Sequence, residues 1–172
     1  MAISQTDKVI LIGGGSSSGK SSIAHQMKKI RSPLKLFHLD FDDQVSKLMQ
    51  AKYDNDTLKA IEHVIRCLPE AASGSSFFLD HWMPPKLELQ ARQALSNSKV
   101  FTVWVYCSSI TELKRREATR KQRDDYRGDG VTAAGARSPA NIGYDYTVDS
   151  FQKTPKRLAT LIHKKAMRNW GY

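Results

Sequence analysis

The densest chemical signal in the chain is an eight-residue run: Gly14, Gly15, Ser16, Ser17, Ser18, Gly19, Lys20 and Ser21. It fits the pattern glycine, any four residues, glycine, lysine, serine or threonine. Glycines let a backbone curl round a phosphate and aim successive N–H groups at its oxygens. Lys20 then supplies a mobile positive charge for the outer phosphates. The Ser21 hydroxyl is the type of group that ligates Mg²⁺, and Ser22 follows it in the same turn. A helix starting near Gly19 points its positive end at the same anion. All nine residues from Gly14 to Ser22 are therefore candidates for holding ATP.

Two carboxylates follow apolar runs. Asp40 ends Phe37-His38-Leu39-Asp40, and Asp80 ends Phe77-Phe78-Leu79-Asp80. In open α/β sheets, ligands sit beyond the carboxyl ends of the strands. Asp40 is the candidate base that takes a proton from an acceptor hydroxyl. Its competing readings are a helix N-cap and a group that touches Mg²⁺ through water. Asp80 has the placement of a Walker-B acid, which with Ser21 would hold Mg²⁺. His81, beside it, reads more simply as a structural or solvated histidine.

Arginines form the third group. Arg116, Arg120, Arg123 and Arg127 are spaced by four, three and four residues, which puts them on one helical face. Guanidinium forks suit phosphate oxygens and can neutralise charge in a transition state. Arg120 and Arg123 are expected nearest the reacting phosphate, with Arg127 assisting in nucleotide binding. A basic face exposed to water is the alternative. The Gly- and Ala-rich stretch that follows suggests a lid around residues 115–143.

Something must bring these groups to one place. Short apolar runs at 9–12, 34–39, 76–79 and 100–106, with a fifth at 144–148, read as strands. Helical patterns occupy 20–30, 41–52, 57–72, 86–95, 110–126 and 155–169. Thr154 before Pro155 marks the last helix start. Alternation of this kind predicts a three-layer, doubly wound α/β fold with a five-stranded parallel sheet, and the Gly-rich run after the first strand makes it the P-loop NTPase type. The 172 residues suit one such domain over 1–172.

The net charge of +10 suits anionic substrates, nucleic acid or acidic membranes, and charge alone does not separate them. The basic residues of the last helix, Lys156, Arg157, Lys164, Lys165 and Arg168, read most simply as a solvated face. Cys67 and Cys107 lie too far apart to suggest a disulfide framework or a metal knuckle. Asp7 and Lys8 precede an apolar run that stops at Gly13, too short for a signal-peptide core. A cytoplasmic location without membrane partners is expected.

Taken together, ILIGGGSSSGKSSI (10–23), FHLD (37–40), FFLDH (77–81), VWVYC (103–107), REATRKQR (116–123) and YDYTVDS (144–150) resemble the chloramphenicol phosphotransferase-like family of P-loop kinases. The resemblance implies ATP-dependent phosphorylation of a hydroxyl on a small molecule. It gives Lys20 and Ser21 to ATP and Mg²⁺, Asp40 to the acceptor, and the arginines to the lid. Segments 41–75 and 124–143, where acceptor choice would reside, depart from the family pattern. A nucleotide or nucleic-acid 5′-kinase is the alternative enzyme. A non-catalytic P-loop module that binds nucleotide or nucleic acid is the alternative of another class. A GTPase switch is disfavoured: there is no Asn-Lys-x-Asp motif, and His81-Trp82-Met83 follows Asp80.

Overall fold

The most apolar run in the chain becomes the centre of the sheet. Strand β1 (Lys8–Gly14) is buried at every position, because β3 (Ser76–Asp80) flanks it on one side and β4 (Lys99–Tyr106) on the other. Strand β2 (Leu36–Asp40) pairs with β3, and β5 (Tyr146–Asp149) with β4. All pairings are parallel, in the order β2-β3-β1-β4-β5. This computed structural model describes residues 7–121 and 143–172.

Helices cover both faces. Helix α1 (Lys20–Met27) packs beside the C-terminal helix α6 (Pro155–Trp170), burying Ile10, Ile12, Phe78 and Val103 between them and the sheet. Helices α2 (Phe41–Ala51), α3 (Thr57–Ala72) and α4 (Pro85–Ala94) cover the other face over Val9, Leu11, Phe77 and Leu79. The two faces take alternate residues of each strand, as the pleat requires. Helix α5 (Ile110–Lys121) lies against the loop that follows β1.

The expected elements all form, with shifted ends. Helix α1 stops at Met27 rather than at residue 30. Lys29 and Ile30 donate instead to Gln26 and Met27, tightening the chain before Pro33. Strand β2 begins at Leu36, where pairing with Ser76 begins. Strand β5 starts at Tyr146 rather than 144, because Asp145 turns back to accept from the amide and hydroxyl of Thr102. Residues 122–126 of the fifth expected helix, and most of the expected lid, lie outside the described residues.

Candidate active site

The loop after β1 is built round backbone that only certain residues tolerate. A Cβ on Gly14 would collide with the Val105 carbonyl oxygen and lie 2.8 Å from Ser18 Oγ. Gly19 has a left-handed φ of 100° and caps α1 without a side chain. Ser17 also sits at positive φ, 58°, a conformation that costs a non-glycine residue energy. Lys20 Nζ reaches across the loop to donate to the Gly15 carbonyl at 3.0 Å. Ser18 Oγ is buried with no hydrogen-bond partner among the described residues. A tight glycine cradle, a cation held over it and an unsatisfied hydroxyl beneath it fit a bound phosphate chain.

Helix α5 holds this loop in shape. Glu117, 2% exposed, accepts a hydrogen bond from Ser17 Oγ. Arg116 donates to the carbonyls of Ser17 (3.2 Å) and Ser18 (3.4 Å), and to Ser150 Oγ (3.0 Å) and Ser150 O (3.1 Å). Its Nε is paired with Glu112 Oε1 at 2.8 Å. Arg116 is thus a strut that ties the loop carbonyls to Ser150. One turn on, Arg120 donates to Ser16 Oγ at 3.2 Å and borders the cavity. The shared face inferred from spacing holds for these two arginines. Arg123 and Arg127 lie outside the described residues. Arg115 is exposed and pairs with Glu112, whose carboxyl is held down to about 2 by hydrogen bonds from Arg115 and Arg116.

Ser17, at its unfavourable backbone angle, is held by Glu117 at its hydroxyl and by Arg116 at its carbonyl. Glu117→Ala should free the loop and leave a buried hydroxyl unpaired, costing about 1–2 kcal/mol. We expect the ATP KM to rise roughly tenfold with a smaller change in kcat. An unaltered KM would show that the loop keeps its shape without the Glu117 contact.

On the α1 side of the sheet, Asp80 meets three partners. His38 Nε2 donates to its Oδ1 at 2.7 Å, while Ser21 adds a hydrogen bond and Lys20 a nearby charge. Burial alone would push this carboxyl up. The hydrogen bond and charge of His38, with those of Ser21 and Lys20, outweigh burial and hold it below 3.8. An ionised carboxylate touching the P-loop serine is a donor set of the hard-oxygen type that suits Mg²⁺. His38 was absent from the sequence candidates. The signal was present: two residues before Asp40, it falls on the same face of β2, and β2 pairs in register with β3.

Asp40 stands opposite Asp80 in that register. It is exposed and caps α2, accepting from the Asp43 amide at 3.1 Å through Oδ1. The capping alternative is therefore realised, and Oδ2 is left for another partner. His81 is turned away from the cavity. It is 1% exposed, its Nδ1 accepts from the Met83 amide at 3.3 Å, and its Nε2 has no hydrogen-bond partner among the described residues, standing 4.0 Å from Glu88 Oε2. Glu88 in turn accepts from Arg92 and from Tyr144 Oη.

Burial above all, aided by the charge of Lys20, holds the His81 pKa at about 3. The unfolded chain binds this proton below its ordinary value of 6.5, and the folded chain does not. Stability from this group is therefore full above pH 6.5 and declines as pH falls toward 3. Tm measured without nucleotide should drop between pH 7.5 and 5. His81→Asn, whose amide oxygen can still accept from Met83, should flatten that drop. Equal slopes for the two proteins would absolve His81.

A cavity of about 580 Å³ opens between α1, α5 and the start of α6. Lys20, Ser21, Arg116, Arg120, Ser150 and Pro155 line it. Its size falls in the range of small-ligand sites. Cys107 is buried and Cys67 exposed. Among the described residues no cluster of His, Cys, Asp and Glu forms an all-protein metal cage, and no helix is long and apolar enough to cross a membrane.

The fold has solved counterparts. The APS kinase of Mycobacterium tuberculosis, in complex with AMPPNP and APS, matches with a TM-score of 0.66 at 17% identity, over 93% of this chain and 97% of that one. Shikimate kinase from Acinetobacter baumannii, in complex with shikimate, matches with a TM-score of 0.65 at 14% identity, over 99% and 98%. A gluconokinase from Sinorhizobium meliloti matches with a TM-score of 0.63 at 14% identity, over 96% of both chains. At such identities the likeness shows the fold alone. No curated protein matches the sequence. The sequence family described as chloramphenicol phosphotransferase-like protein matches residues 7–167. That match spans nearly the whole chain, including the loop, both strand-end aspartates and α5, so the protein belongs to the chloramphenicol phosphotransferase-like family and is built as a P-loop kinase.

Proposed function

We propose that the protein, as one domain over 1–172 in the cytoplasm, transfers the γ-phosphoryl group of ATP to a hydroxyl of a small molecule. The observation that carries this reading is the convergence of Lys20, Ser21, Asp80 and Arg120 on one end of the sheet, with Asp40 in register beside Asp80. The loop amides and Lys20 would bind the phosphate chain. Ser21 and Asp80 would hold Mg²⁺, which supplies charge neutralisation on the phosphate oxygens when bound. Asp40 would orient the acceptor hydroxyl and take its proton as the new O–P bond forms and the bond to the ADP oxygen breaks. Lys20 and Arg120, with Arg123 and Arg127 as further candidates, would stabilise the charge that develops.

The test is incubation with γ-labelled ATP and a panel of hydroxyl metabolites, nucleosides and 5′-hydroxyl oligonucleotides. Label on a non-nucleotide hydroxyl compound is the expected result. Label on oligonucleotides alone would favour the 5′-kinase reading, and label on nothing would favour a binding module.

A further inference from the structure

The positive charge of this chain is segregated. Residues 8–39 and 150–172 together hold 12 of its 27 lysines and arginines and none of its 17 aspartates and glutamates. The rest of the chain holds 15 basic residues against all 17 acids, so it is slightly acidic. The two acid-free segments are brought together by the fold, since α1 and α6 pack side by side on one face of the sheet.

The candidate active site does not account for this charge. Of the 12 cations, Lys20 belongs to the loop, Lys153 borders its cavity and Lys8 is buried. Lys28, Lys29, Arg31, Lys35, Lys156, Arg157, Lys164, Lys165 and Arg168 are exposed. The last helix arranges its share in a line. Arg157, Lys164 and Arg168 fall within about 40° of one another at helical spacing. They lie opposite the buried stripe of Leu158, Ile162, Ala166 and Trp170. The line runs for about 16 Å. Beside it, a recess of about 360 Å³ is bordered by Lys28, Arg31, Lys35 and the buried His163.

We propose that this α1–α6 face binds the phosphate backbone of duplex nucleic acid, at a site separate from the ATP cavity. A metabolite with two or three phosphates cannot neutralise cations strung over that length. A duplex offers about nine phosphates in ~16 Å. Single strands are bound largely by stacking on exposed aromatic rings. Here Trp170 is buried, Tyr146 is covered by Lys165, whose Nζ lies 5.6 Å from the ring centroid, and the exposed Tyr172 already carries Lys8 Nζ at 5.3 Å over its ring. An anionic membrane would need an apolar face to insert. Among the described residues, the exposed large apolar side chains are Phe37, Leu58, Trp82, Leu89, Ile110 and Tyr172, and of these only Tyr172, two residues past the end of α6, adjoins the two helices.

The test is fluorescence anisotropy of a labelled 20-base-pair duplex of arbitrary sequence, titrated with the full chain between 50 and 300 mM salt. The wild type should bind, with affinity falling steeply as salt rises. The triple variant Arg157→Ala, Lys164→Ala, Arg168→Ala should bind at least roughly tenfold more weakly at 100 mM salt, and its slope of log K against log salt should shrink by about 2 to 3. A control with Lys47→Ala, Lys59→Ala and Lys86→Ala, on the opposite face, should match the wild type. All six positions are exposed, and an unchanged Tm would confirm that each variant folds. ATP binding should survive the α6 triple variant, which separates this test from that of the kinase reading. Three outcomes would overturn the proposal: no duplex binding by the wild type, equal binding by wild type and α6 variant, or binding to phosphatidylserine vesicles but not to duplex.

Discussion

Lys20→Ala is expected to lower turnover by about 10³-fold, on the scale of losing one preorganised charge donor from a transition-state site, and to weaken ATP binding. The side chain comes from the loop's own end and is held over the glycine cradle by the 3.0 Å bond from Nζ to the Gly15 carbonyl. That carbonyl can be exchanged for a phosphate oxygen, so the ammonium is placed without being locked. The fold should be spared: Lys20 is the first residue of α1, and alanine is a good helix former there. Lys20→Arg should also fail, because a planar fork is no substitute for a compact charge in a tight loop. The measurements are steady-state kinetics and titration of a fluorescent ATP analogue, with circular dichroism to confirm folding. Full turnover by a folded Lys20→Ala protein would move the phosphate site elsewhere.

The parts of this arrangement legible in the sequence were those encoded locally. The run 9–12 is apolar because β1 is buried on both faces. The last helix starts where Thr154 and Pro155 said it would, and the Thr154 side chain accepts from the Arg157 amide at 3.3 Å. What stayed hidden were contacts between distant elements. His38 matters only because β2 and β3 pair in one register, which sets it against Asp80. Glu117 matters only because α5 crosses the loop a hundred residues earlier in the chain. Helical spacing put Arg116 and Arg120 on one face but could not say what that face meets. In the structure Arg116 meets carbonyls and Arg120 a loop hydroxyl. The acid-free segments were likewise open to reading, yet their adjacency is a product of the fold.

Asp40 poses the sharpest choice between a structural and a catalytic role, because the structure shows the structural one in place. Its Oδ1 caps α2 through the Asp43 amide. Replacing it by alanine would remove the cap, at about 1 kcal/mol, and any lost activity would be ambiguous. Asparagine resolves this, since it caps helices about as well as aspartate but cannot take a proton. Asp40→Asn should therefore leave Tm nearly unchanged and leave ATP binding intact. Its kcat should nonetheless fall by about 10² to 10⁴-fold, the scale of general-base loss. Asp40→Ala should lose activity to the same extent and stability as well. The pair of variants separates the two roles: stability tracks the oxygen that accepts from Asp43, and turnover tracks the charge. Should Asp40→Asn turn over at the wild-type rate while Asp40→Ala is merely less stable, Asp40 is a helix cap alone. The acceptor's proton would then leave without its help.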